Sequence, residues 1–309
     1  MWITVGKRWR HKGWEKTAFS LLDWYVRKTR RIGAGMRIGG GIDGRSWDSP
    51  EEWVQIIKEM GSNAVYCPID ADAPLPIRHS YRKLMKENDL RLGEVGAWAN
   101  PLAADEKERH ANITYCQRQL ELADEMDAAC CVNIVGARGE VWDGAYRDNF
   151  DAYTYELIID SIREIIDGVK PRNAYYTIEP MPWMVPDSPE SYLQLLQDVD
   201  RKQFGVHLDY TNMICSPRLY MENPAFIKKC FRLLGPYIKS IHVKDIIMET
   251  GLPCIIREVM PGEGTIDLKL VLQLAQRLGE DMTVYSEHLK SWEEYKKAVS
   301  YLKRLAEEG

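Results

Sequence analysis

The sequence predicts a single (β/α)₈ TIM barrel preceded by a basic N-terminal extension. Three observations carry this reading. From Met36 onward, short β-type runs alternate with helical patterns eight times. The strand-like runs of the second half each bring a charged or coordinating residue to the C-terminal end or close to it. The repeat occupies about 270 residues, the length that eight strand–helix units need. A chain of 309 residues could also divide in two at about 150 residues per domain, but α/β barrels run to about 250 as one. Strands alternating with helices of ten or more residues mean βαβ units and a parallel sheet.

The elements follow in order. The first strand is read at 36–42. Ser49 and Pro50 supply an N-cap followed by proline at the first helical position, so a helix covers 50–60 and stops at Gly61. Strands at 63–68, 90–98 and 130–135 are followed by helices near 78–88, 104–128 and 152–168. A fifth strand at 174–179 precedes a helix opening at Ser188-Pro189-Glu190. Strands at 204–209, 238–244 and 282–287 lead into helices at 224–234, 268–278 and 292–306. Gly39, Gly41 and Gly44 match G-x-G-x-x-G in form. The next helix begins only at Pro50, so these glycines do not set a helix N-terminus on a phosphate.

Composition excludes several classes. Hydrophobic residues make up 45% and charged residues 28%, as in an ordinary soluble chain. No apolar run approaches the ~20 residues that span a bilayer. Residues 1–35 hold nine Lys or Arg against Glu15 and Asp23, so the remainder is more acidic than the net charge of −5 implies. An acidic body is a poor partner for nucleic acid, where Lys and Arg must neutralise phosphates. The seven cysteines are odd in number and lack CxxC spacing, which reads as reduced thiols in a cytoplasmic protein. The apolar stretch 18–26 is interrupted by Asp23 and lacks a small-residue cleavage site, so no signal peptide is expected. The domain reading is an extension at 1–35 and a barrel at 36–309. The extension reads as a poorly ordered segment; the alternative is a basic amphipathic helix at 15–31 docking on another subunit or on the barrel's base.

Side-chain parity locates the chemistry. Strand residues alternate between the barrel interior and the surrounding helices. In strands five to eight the apolar set Tyr176/Ile178, Val206/Leu208, Ile241/Val243 and Val284 must face the helices. Thr177/Glu179, His207/Asp209, Ser240/His242/Lys244 and Thr283/Tyr285/Glu287 then face inward. Glu179, Asp209, His242 and Glu287 converge at the C-terminal mouth, where barrel active sites lie. Three carboxylates in a low-dielectric mouth repel one another and a divalent cation relieves this. Carboxylates with one imidazole suit Mn²⁺ first, and also Mg²⁺, Co²⁺ or Zn²⁺. For any one of these residues an ion pair with a neighbouring Lys or Arg is the simpler reading. Four on successive strands, all of inward parity, favour the metal.

The segments YYTIEP (175–180), GVHLDYTN (205–212), IKSIHVKD (238–245), PGEGTID (261–267) and YSEH (285–288) carry a family resemblance. From Met36 onward the chain resembles the xylose-isomerase-like barrel superfamily, which includes ketose 3-epimerases, hydroxypyruvate isomerase, inosose dehydratase and endonuclease IV. The resemblance implies one divalent metal on Glu179, Asp209, His242 and Glu287, with Glu179 and Glu287 also serving as the acid/base pair. The sequence departs from the epimerases at two places. Asn212 stands where they carry His and Met248 where they carry Arg, and HVKD is nearer the inosose-dehydratase side. Endonuclease IV has further His ligands on strands two and three; LGEVGAW and VYCPID contain none.

Other residues have two readings each. Lys244 faces inward as a substrate contact or enolate stabiliser, or else as an ion-pair partner of Asp245 or Glu287. His207 is a substrate contact or a hydrogen-bonded interior histidine. Trp98, Trp142 and Trp183 follow strands three, four and five and stack on a sugar or aglycone, or pack their loops. The connection 246–266 exceeds the ~12–15 residues of an ordinary loop. It holds Arg257, Glu258 and PGEG and reads as a lid or size filter with Arg257 reaching substrate; the alternative is a small hairpin for subunit packing. The first functional reading is a metal-dependent isomerase or epimerase of a sugar or sugar-like ketone, acting through an enediolate. The second is a metal-dependent lyase, either a dehydratase or an enzyme cleaving an oxidised C-glycoside with a small second subunit. The third is a non-catalytic sugar-binding protein. A small carbohydrate is the expected ligand, and a homo-oligomer the expected assembly.

Overall fold

In a computed structural model, residues 36–308 of the chain are described; the predicted extension lies outside them. Among the described residues one sheet has eight strands: β1 (Arg37–Gly40), β2 (Ala64–Tyr66), β3 (Arg91–Gly96), β4 (Cys130–Asn133), β5 (Tyr175–Ile178), β6 (Phe204–Asp209), β7 (Ile238–His242) and β10 (Thr283–Ser286). Every neighbouring pair is parallel, and the order runs β1-β10-β7-β6-β5-β4-β3-β2. This is a nearly closed (β/α)₈ barrel. Its seam lies between β1 and β2 and is stitched by one residue. Asn63 accepts from Ile38 N at 2.8 Å through Oδ1, and its amide nitrogen donates to Met36 O at 3.2 Å. Its own backbone N–H donates to Ile38 O.

The helices between strands are α1 (Pro50–Met60), α2 (Leu75–Glu87), α3 (Glu106–Glu125), α4 (Ala152–Val169), α5 (Pro189–Val199), a short α6 (Pro217–Met221), α7 (Asn223–Leu234), α8 (Leu268–Leu278) and α9 (Trp292–Glu307). The two starts that the sequence marks are capped: Ser49 accepts from Glu52 N, and Ser188 forms a reciprocal capping box with Ser191. Helix α2 opens earlier than predicted because Pro76 is tolerated in a first turn, where no intrahelical N–H is needed. In α4 the buried Ile158, Ile162, Ile165 and Ile166 repeat at helical spacing and form one apolar stripe.

The seventh strand is shorter than read. It stops at His242, and the long connection behind it is an antiparallel hairpin, β8 (Asp245–Glu249) with β9 (Ile255–Val259). One buried carboxylate anchors the hairpin's base. Asp245 Oδ1 accepts from Ile246 N and Ile266 N, and Oδ2 from Gly262 N and Gly264 N, all at 2.9–3.0 Å. A Cβ on Gly264 would meet Asp245 Oδ1 at 2.1 Å, so only glycine fits there. This accounts for PGEG as a structural element facing HVKD across the hairpin base. Asp245→Ala should cost about 2–4 kcal/mol, since charged hydrogen bonds are worth ~1.5–3 kcal/mol each and the loop recovers part with water. Urea unfolding measures it, and hydrogen exchange should rise across 245–266 first; unchanged exchange there would contradict the anchor role.

Candidate metal centre and active site

Four strand ends bring the predicted ligands together. Glu179 follows β5, Asp209 ends β6, His242 ends β7 and Glu287 follows β10. Each offers a donor atom within 4.8 Å of the others, and Glu179, Asp209 and His242 are buried. Asp209 is fixed through Oδ1, which accepts from Thr211 N, Thr211 Oγ1 and Asn212 N. Glu179 Oε1 accepts from the Asn212 amide at 3.2 Å. His242 Nδ1 lies 2.8 Å from Glu287 Oε2 and 3.6 Å from Glu179 Oε1. Asp209 Oδ2, His242 Nδ1 and Glu287 Oε1 make no directional hydrogen bond. Three carboxylates and one imidazole, with Asp209 Oδ2 and Glu287 Oε1 answered by the Lys244 ammonium alone, are a donor set that fits a divalent cation.

Lys244 supplies positive charge at the same place. Its ammonium is buried, 2.7 Å from Asp209 Oδ2, 2.5 Å from Glu287 Oε1 and 3.2 Å from Glu258 Oε1. Burial alone would lower its pKa, but the carboxylates of Asp209, Glu287, Glu179 and Glu258 raise it well above the usual value. The expected pairing with Glu287 is present, while Asp245 spends its carboxylate on the hairpin base.

Two cavities open at this mouth. One of about 710 Å³ is bordered by Trp98, Trp142, Met181, Trp183, Ile214, Ile256 and Arg257. The other, of about 890 Å³, is bordered by Asp43, Arg45, Tyr66, Glu94, His242 and Tyr295. They share Trp98, Glu287 and His288. Trp98, Trp142, Trp183 and Arg257 thus line the first cavity, with Arg257 ion-paired to Glu249 across the hairpin at 2.7 Å. His207 borders neither cavity; it is enclosed in the barrel, with Nδ1 2.7 Å from Ser240 Oγ.

The family model of the xylose isomerase-like TIM barrel matches residues 54–305. The chain belongs to this family. No curated protein matches the sequence. Solved structures share the fold at low identity. D-psicose 3-epimerase with D-tagatose from Clostridium cellulolyticum H10 is 14% identical, covering 88% of this chain and 100% of that one at a TM-score of 0.64. The 3-keto-D-glucoside 4-epimerase of E. coli is 16% identical, covering 87% and 99% at 0.63. A xylose isomerase-like TIM barrel protein from Mycobacterium smegmatis in complex with magnesium is 14% identical, covering 89% and 97% at 0.62.

Within this xylose isomerase-like barrel, four residues near the mouth had not been assigned a role from sequence. Glu94 of β3 is buried beside His207 and His242. Its signal was a lone acid in an apolar strand, LGEVG. Glu258 reaches in from the hairpin to Lys244 and to His288 Nδ1, 3.0 Å away. His288 takes a left-handed backbone, φ 56°, which aims its ring at the junction of the cavities. Asn212, a departure from the epimerase pattern, bridges Glu179 and Lys244.

The two glutamates differ in proton affinity. Burial, reinforced by the charges of Glu287 and Asp209, pushes Glu179 up to about 7. Burial acts likewise on Glu287, but His242, Lys244 and His288 hold it well below the usual carboxylate range. Burial opposes a charge on His242, yet Glu287 and Glu94 raise its pKa well above the usual value. A cation therefore competes with protons on Glu179 and His242. Mn²⁺ affinity should rise with pH through 7 and fall about tenfold per pH unit and proton displaced below it. Calorimetry at pH 6 and pH 8 in two buffers reads both affinity and proton release; a pH-independent affinity would contradict the assignment.

Proposed function

We propose that this protein is a divalent-metal-dependent isomerase or epimerase acting on a sugar or sugar-like ketone. The observation that carries the reading is the convergence of Glu179, Asp209, His242 and Glu287 at the barrel mouth, where Glu287 borders both cavities. Family neighbours named as sugar epimerases support the substrate class. The same four residues would hold the cation, with Mn²⁺ preferred. When bound, a divalent cation supplies Lewis-acid polarisation of a carbonyl oxygen.

The chain's own groups do the rest. Glu179 and Glu287 differ in proton affinity, so one takes the α-proton and the other delivers one. Lys244, held charged by its carboxylate neighbours, donates to the oxyanion of the enediolate. Return of the proton to the neighbouring carbon isomerises the sugar; return to the opposite face epimerises it. Trp98, Trp142, Trp183 and Arg257 line the space beside the cluster and are proposed substrate contacts.

A lyase is the second reading, favoured by the first cavity. Its border of three tryptophans, Met181, Ile214 and Ile256 is more apolar than a bare hexose needs and matches the aglycone of an oxidised glycoside. Such an enzyme would travel with a small second subunit, which copurification from the native host would reveal.

Glu179→Gln and Glu287→Gln should each lower turnover by about 10²–10⁴-fold, and His242→Ala should lose bound metal. Solvent deuterium incorporation into a keto-sugar reads the enolisation itself. A protein that binds sugar with neither exchange nor elimination would sink both catalytic readings.

A further inference from the structure

We propose that Glu94 is a positioning residue that sets which nitrogen of His242 meets the metal. The inference rests on the metal site proposed above. An imidazole ligates through a nitrogen that carries no proton, so the proton must sit on the other nitrogen and needs an acceptor there. In His242, Nδ1 faces Glu287 Oε2 and Glu179 Oε1, while Nε2 points the opposite way. Two groups lie within reach of Nε2: Glu94 Oε2 at 3.3 Å and the Tyr66 hydroxyl at 3.4 Å. A carboxylate can only accept from that N–H, whereas the tyrosine hydroxyl can also donate and so permits either tautomer. With a cation held by Glu179 and Glu287 on the Nδ1 side, Glu94 would be the acceptor that keeps the proton on Nε2 and leaves the Nδ1 lone pair for the cation.

The carboxylate has a second histidine beside it, though Oε1 makes no directional hydrogen bond. Its other oxygen, Oε1, lies 3.4 Å from His207 Nδ1, which is 2.7 Å from Ser240 Oγ. The His207 and His242 rings meet edge to face at 4.0 Å. Glu94, His207 and Ser240 are all buried, so the row from Ser240 through His207 and Glu94 to His242 ties β3, β6 and β7 beneath the mouth. His207 acts here through Glu94, as a support for the ligand rather than a contact for the substrate. Partners of this kind behind a metal-bound histidine commonly change metal affinity about 10–100-fold when removed.

The test uses the full chain and Mn²⁺ alone, followed by calorimetry or electron paramagnetic resonance. Glu94→Leu keeps the bulk and removes the acceptor, and should weaken Mn²⁺ binding by about 10–100-fold. Glu94→Gln keeps an amide oxygen for the Nε2–H and should recover most of that loss. Binding by Glu94→Leu within twofold of the parent, or equal weakening in both variants, would overturn the proposal. Should Glu94→Leu fail to fold, the imidazole ¹⁵N spectrum of Zn²⁺-loaded parent and Glu94→Gln decides. The proposal requires a protonated Nε2 and a metal-bound Nδ1 on His242; Nε2 as the bound nitrogen refutes it. His242→Ala separates the two levels. If that variant keeps full Mn²⁺ affinity, the metal-site reading itself has failed; if it loses metal while Glu94→Leu does not, only the role of Glu94 has.

Discussion

The mouth of this barrel is organised by the cost of crowding acid. Glu94, Glu179, Asp209 and Glu287 point into one low-dielectric interior, where like charges repel and each is stripped of water. Positive charge must be brought in, and the chain does so in two layers. His242 stands between Glu94 below and Glu179 and Glu287 above, using one nitrogen for each. Lys244, two residues later, reaches Asp209 and Glu287 from the rim. The same unevenness of charge separates the proton affinities of Glu179 and Glu287, which is the condition for acid/base work by a pair of identical side chains.

Everything built over the mouth is tied to this charge balance. The hairpin from β8 to β9 is pinned at its base by Asp245 and delivers Glu258 to Lys244 and His288. It also carries Ile256 and Arg257 to the wall of the first cavity. Glu258 and Arg257 pair with Ile246 and Ile247 near the anchored base, so these charges sit beside the mouth rather than at the hairpin's tip. The first cavity carries more tryptophan and aliphatic groups on its walls, and the second mixes such groups with charged and hydroxylated ones.

Much of this was legible in the sequence because strand parity is a rigid rule. Glu179, Asp209, His242 and Glu287 are separated by tens of residues, yet period-two alternation and the common strand direction are enough to bring them together. Caps were equally legible, since Ser49 and Ser188 announce helices by a local hydrogen bond. Glu94 was not, because a single acid in LGEVG acquires meaning only from what stands across the barrel. His207 shows the same limit: parity turned it inward, and only its neighbours Ser240 and Glu94 set it below the cavities rather than on their walls. The division between β7 and the hairpin escaped for another reason. HVKD continues the β pattern without a break, and the turn depends on Asp245 reaching glycines some twenty residues away.

By itself the sequence determined the barrel, the serine-capped helix starts at Ser49 and Ser188, and the four residues that meet at its mouth. These follow from short-range rules of periodicity and capping, summed over eight similar units. Only the tertiary structure decided the charge partners, the two cavities and the layer beneath the carboxylate–histidine cluster. Those depend on distances between elements remote in the chain, and electrostatic effects in a buried site change steeply over an ångström or two.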